Sequence, residues 1–131
     1  MTNEKDQKRE VVVIDDEPFI HELVDECIGG HYKVIHYIRS PQGLTALLER
    51  MQSGKKTHAV LLDNKMPEMT GTELLAQLDQ YPIARRIPIV GIGSFMDGEI
   101  NGINRTILPK NTLTLTLYDL LEKIRDYSIQ S

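Results

Sequence analysis

Two stretches of this chain, Val11-Val12-Val13-Ile14 and Ala59-Val60-Leu61-Leu62, are apolar at every position, and each runs straight into an aspartate. A strand with one wet face alternates apolar and polar residues. Runs that are apolar on both faces therefore predict strands covered on both sides, as in a parallel sheet. Between and after them the period changes. Ile20, Leu23, Val24, Cys27 and Ile28 form a helical stripe, opened near Pro18 and closed by Gly29-Gly30. The cycle repeats with a strand from Tyr32 to Tyr37 and a stripe of Leu44, Leu47, Leu48 and Met51 that starts at Ser40-Pro41. Leu74, Leu75 and Leu78 lie on a helix after Gly71, a fourth strand covers Ile89-Val90-Gly91-Ile92, and a fifth covers Thr106-Ile107-Leu108. Leu113, Leu117, Leu120, Leu121 and Ile124 close the chain on a long helix. This alternation predicts an α/β domain with helices on both faces of a parallel sheet.

One unit breaks the rhythm. Eleven residues, Phe95 to Arg105, separate Ser94 from Thr106, and Asp97, Gly98, Asn101, Gly102 and Asn104 are among them. These are turn formers and poor helix formers. The fourth helix is expected to span two turns at most or to be missing.

The chain has 131 residues, which suits one domain. Fifteen basic against 19 acidic residues give a net charge of −4, which argues against a general nucleic-acid surface. Arg85-Arg86 is too short a basic run to change that. The one cysteine, Cys27, excludes an internal disulfide and any zinc site built from several cysteines. It falls on the first helical stripe and reads as a core residue. No apolar run approaches the roughly 18 residues of a membrane span, and the polar start from Met1 to Glu10 lacks the apolar segment of a secretory signal. The expected organisation is a flexible tail over residues 1–9 and a folded domain over 10–128, soluble and cytoplasmic, with no direct contact to nucleic acid or membrane.

The chemistry lies in the acids. In an open α/β sheet, ligands sit beyond the carboxyl ends of the strands, near the switch in strand order. Strand one ends in Asp15-Asp16-Glu17 and strand three in Asp63. With those strands as neighbours, Asp15, Asp16 and Asp63 converge on one cleft, and Lys110, after strand five, reaches the same edge. Clustered carboxylates repel, and such a group is stable with a cation or with raised pKa values. Hard oxygen ligands at an open site suit Mg²⁺. Each acidic strand end taken alone is an ordinary loop or helix cap; the joint arrangement is far more specific. His21, His31, His36 and His58 show no metal-ligand spacing and read as structural or solvated.

The chain resembles the receiver domain of two-component response regulators. The residues that carry the resemblance are Val13-Ile14-Asp15-Asp16-Glu17-Pro18, Leu61 to Gly71 with its Asp63, Met66-Pro67 and Met69, then Ile87-Pro88-Ile89-Val90, and Leu108-Pro109-Lys110. The resemblance implies a flavodoxin-like, doubly wound five-stranded parallel sheet in order 2-1-3-4-5, here with the fourth helix shortened or absent. It implies that Asp63 accepts a phosphoryl group from a sensor histidine kinase or a phosphotransfer protein. Asp16, Asp63 and the backbone carbonyl of Lys65 would ligate Mg²⁺, and Asp15 would act through water. Lys110 would pair with Asp63 and then with its phosphoryl group, and Met66 and Met69 would pack the loop. The signal would pass to a downstream partner or output domain.

Three positions depart from the family's pattern. Gly93 stands where a threonine or serine hydroxyl normally meets the phosphoryl group. Ser94, one residue on, is the candidate switch hydroxyl, provided the strand end shifts. Ile107 replaces a frequent aromatic rotor, and Asn111 replaces the proline that often follows the lysine after a cis bond. These changes leave the phosphoryl chemistry intact and weaken the usual relay, so the alternative reading is a pseudo-receiver acting as a protein-binding module. An enzyme on a similar sheet is disfavoured. The acidic loop after strand one would repel a flavin phosphate, and the Asp-x-Asp nucleophile motif of dehalogenase-like phosphatases is absent.

Overall fold

The computed structural model describes residues 8–96, 98–100, 102 and 104–130, and the side chains of all of these except 125–130. Strand β1 (Arg9–Ile14) leads to helix α1 (Pro18–Ile28), β2 (Tyr32–Tyr37), α2 (Ser40–Gln52), β3 (Ala59–Leu62) and α3 (Gly71–Leu78). Strands β4 (Ile89–Gly91) and β5 (Arg105–Ile107) follow, and α4 (Leu113–Gln130) ends the chain. All five strands pair in parallel, in the order β2-β1-β3-β4-β5, as expected. Of the expected N-terminal tail, residues 1–7 lie outside the described residues, and β1 begins at Arg9.

The apolar runs sit where their composition demands. Val11 and Val13 pack with α1 and α4 on one face of the sheet, while Val12 and Ile14 pack with α2 and α3 on the other. Every residue of β3 is fully buried. Successive strand residues point to opposite faces, so a central parallel strand has no room for polar alternation. Cys27 is half-buried against the first cluster, Met66 is buried in the second, and Met69 packs against it. No described helix is long and apolar enough to cross a membrane.

The β4–β5 connection carries no helix among its described residues. A polar staple and two apolar side chains cover the sheet edge in its place. Asn64 donates its side-chain amide to the Ser94 carbonyl at 2.9 Å and accepts from both the N–H and the hydroxyl of Thr72. That hydroxyl also reaches Glu99, which caps the Met96 N–H. Phe95 and Ile100 pack against the second core cluster. The five turn formers of this segment have no strong intrinsic preference for helix, and side-chain bonds to backbone groups satisfy the loop instead. No cis peptide bond occurs among the described residues, so Asn111 follows Lys110 through a trans bond.

Candidate functional site

Three strand ends build the site. The ladder extends one residue past each strand: Asp15 N–H donates to the Tyr37 carbonyl of β2, and Asp63 N–H donates to the Ile14 carbonyl of β1. That register fixes both aspartates at the carboxyl edge of the sheet. Asp15, Asp16 and Asp63 each offer a carboxylate oxygen within 4.8 Å of the others. Asp15 and Asp63 are buried, at 0% and 3% exposure, and Asp16 is half-buried.

Lys110 enters from the segment after β5, as expected. Its ammonium lies 3.0 Å from Asp15 Oδ2, 3.4 Å from Asp63 Oδ1 and 2.9 Å from Glu17 Oε1. The Glu17 contact was not legible in the sequence beyond its place next to the acidic pair. One cation is thus shared among three carboxylates. Burial opposes the Lys110 charge, but the hydrogen bonds it donates to Glu17 and Asp15 and the charges of Asp15 and Asp63 outweigh it and raise its pKa. The acids go the other way. Burial and the neighbouring Asp15 carboxylate push Asp63 up to about 6, against the pull of Lys110. Burial also raises Asp15, against the Glu17 N–H and Lys110. The site is short of positive charge, and that is the physical requirement for a divalent cation. A cluster of hard oxygen donors fits Mg²⁺.

Two glycines shape the pocket. A methyl carbon at Gly71 would lie 2.4 Å from the Asp63 carbonyl, so α3 can start this close to the Asp63 loop only without a side chain there. A methyl carbon at Gly93 would lie 2.0 Å from Asp63 Oδ1. Gly93, not Ser94, therefore faces Asp63. Ser94 is exposed, with its carbonyl held by Asn64. Lys65 is exposed in the same loop as Asp63. A bidentate pair between Arg39 and Glu68, at 3.0 and 2.6 Å, ties the far end of that loop to the start of α2.

A doubly wound parallel sheet with an acidic pocket at its carboxyl edge and a lysine reaching across it defines a class of signalling modules. A family model described as the response regulator receiver domain matches residues 11–104, and the chain belongs to that family. Receiver domains work in two-component systems, bind Mg²⁺ at an acidic pocket and interact with histidine kinases or phosphotransfer proteins. The chain is similar to the response regulator Rcp1 of Synechocystis sp., at 27% identity over 95 residues, covering 69% of this chain and 65% of that relative. Among solved structures it is similar to a two-component response regulator from Cytophaga hutchinsonii, with a TM-score of 0.71 and 18% identity over 92% of this chain and 99% of the other. It is also similar to the N-terminal domain of an uncharacterized protein from Wolinella succinogenes, with a TM-score of 0.74 and 16% identity over 93% and 98% of the two chains. At these identities the structural likenesses speak for the fold alone.

Proposed function

We propose that Asp63 accepts a phosphoryl group from a phosphohistidine donor, with Mg²⁺ bound, and that the modified domain signals to a partner or output domain. The observation that carries this reading is the convergence of Asp15, Asp16 and Asp63 within 4.8 Å, with Lys110 against the Asp63 oxygen. Asp16, Asp63 and the Lys65 carbonyl would hold the metal, and Asp15 would reach it through water. The bound ion would neutralise charge on the phosphoryl oxygens during transfer. A carboxylate oxygen of Asp63 attacks phosphorus as the P–N bond to the donor imidazole breaks, and the ring nitrogen takes the electron pair. Lys110 then has a phosphoryl dianion to pair with in place of one carboxylate, while Asp15 and Glu17 keep its ammonium near the strand edge.

Intact-mass spectrometry after incubation with acetyl phosphate and Mg²⁺ tests this. One added phosphoryl group is expected, lost with a chelator and lost in Asp63→Asn. No mass gain in the wild-type protein would favour the pseudo-receiver reading. The same preparation tests the relay. With Gly93 facing the acceptor and Ile107 in the rotor position, phosphorylation has few differential contacts with which to bias residues 93–107. Small amide shifts across 94–107 on adding beryllofluoride are expected. Large shifts that vanish in Ser94→Ala would instead assign the switch to the Ser94 hydroxyl.

A further inference from the structure

Three of the four polar atoms of Asp15 are hydrogen-bonded, while the buried Oδ2 has only the Lys110 ion pair, and the partner of the carbonyl comes from outside the acidic site. Its N–H goes to the Tyr37 carbonyl, Oδ1 accepts the Glu17 N–H at 2.8 Å, and Oδ2 lies against Lys110. Its carbonyl has run past the end of the strand ladder. It is met at 2.7 Å by Nε2 of His21, a buried side chain one turn into α1. Nδ1 of the same ring lies 2.7 Å from Nδ1 of His36 on β2. Nε2 of His36 lies 2.9 Å from the Asp25 carboxylate on α1. The two rings meet edge to face with centroids 4.8 Å apart.

The chemistry of these atoms fixes most of the protons. A carbonyl oxygen can only accept, so Nε2 of His21 carries a proton and donates. An ionised carboxylate can only accept, so Nε2 of His36 donates too. The 2.7 Å contact between the two Nδ1 atoms completes the chain from the Asp15 carbonyl to Asp25. His21 is thereby fixed in tautomer and in ring orientation by a second residue, as a buried group that must hold another group still is normally fixed.

From this arrangement we infer that His21, braced by His36 and Asp25, is a positioning residue that sets the peptide plane between Asp15 and Asp16 and so aims the acidic pair at the metal. The peptide unit is planar. Fixing the Asp15 carbonyl therefore also fixes the N–H and the Cα of Asp16, the point from which its side chain leaves the loop. Asp16 is the half-buried member of the cluster, so its aim depends on the backbone that carries it. The inference rests on the Mg²⁺ reading above for its functional consequence, but not for its geometry.

The test compares His21→Leu, His21→Gln and His36→Ala with the wild-type protein, using Mg²⁺ alone in calorimetric titrations. Glutamine can place an amide N–H near the position of Nε2; leucine cannot. His21→Leu is expected to weaken Mg²⁺ binding about tenfold, His36→Ala about threefold, and His21→Gln less than about twofold. A carbonyl satisfied only for stability would change the melting temperature and leave the affinity of the folded variants unchanged. Equal affinities in all four proteins, or equal losses in Gln and Leu, would overturn the inference. Long-range ¹H–¹⁵N spectra of the metal-free protein add a second readout: Nε2 of His21 must be protonated, and an unprotonated Nε2 also overturns it. Absence of Mg²⁺ binding by the wild-type protein would remove the metal reading instead. Positioning is then decided by the Asp16 amide resonance, which must move in His21→Leu and return in His21→Gln. Should His21→Leu fail to fold, His36→Ala takes its place, and an unmoved Asp16 amide with unchanged Mg²⁺ affinity in that variant counts against the inference.

Discussion

Asp63→Asn will make the metal-free protein more stable at pH 7 while removing the proposed phosphoryl acceptor. The carboxylate is buried beside Asp15, and these two effects hold its pKa at about 6, above the 3.8 of a free aspartate. In the unfolded chain Asp63 loses its proton near the lower value. Between the two values the folded protein holds more protons than the unfolded one, so stability falls as pH rises through that window. At about 1.4 kcal/mol for each tenfold change in proton affinity, the ionised carboxylate costs the metal-free fold about 3 kcal/mol at pH 7. Asparagine keeps the shape and removes the charge. Urea denaturation in the presence of a chelator should show a gain of about 2–3 kcal/mol at pH 7, shrinking as pH falls through 6 and nearly gone at pH 4. Saturating Mg²⁺ should narrow the gap, because the cation stabilises the wild-type acid cluster and has less to bind in the variant. A variant no more stable than wild type at pH 7 would mean that Lys110 already balances the site.

That deficit of positive charge was legible only in part. The two apolar strand runs and the aspartates that end them fix which residues reach the carboxyl edge of the sheet. A strand's length and facing are local properties, and the order of strands follows from the family resemblance. Lys110 was likewise readable from its place after β5. The division of Lys110 among Asp15, Glu17 and Asp63 was not, since it depends on the rotamers of side chains from two separate segments. The shortage of helix between β4 and β5 was readable from its turn formers. The Asn64–Thr72–Glu99 staple that replaces it was not, because nothing local to Asn64 says which loop will lie above it. His21 and His36 show the same limit. Fifteen residues apart, with no ligand spacing, they meet only because α1 packs back across β2.

Gly93→Ala should destabilise the metal-free protein by about 1–3 kcal/mol, and most of that loss should disappear when Asp63 is also replaced by alanine. The sequence marks Gly93 as a missing hydroxyl; the structure gives the missing Cβ a second consequence. The Asp63 Oδ1 atom occupies the space where that Cβ would lie, at 2.0 Å from its position. Carbon and oxygen cannot approach so closely, so an alanine forces the carboxylate to rotate. The displaced oxygen is the one that Lys110 approaches at 3.4 Å. Rotation therefore weakens an attraction as well as relieving a clash, and Asp63 is too buried to move into water. The Asn64 N–H at 3.2 Å from the same point limits the alternative of shifting the β4 loop. In the Asp63→Ala background the clashing atom is gone, and Gly93→Ala should cost less than about 0.5 kcal/mol. A double-mutant cycle by urea denaturation in chelator reads the coupling directly. Additive losses would show that the strand-end backbone, and not the carboxylate, resists a side chain at position 93. A double variant less destabilised than the sum of the two single ones would show that the Asp63 carboxylate occupies the space a side chain at position 93 would need.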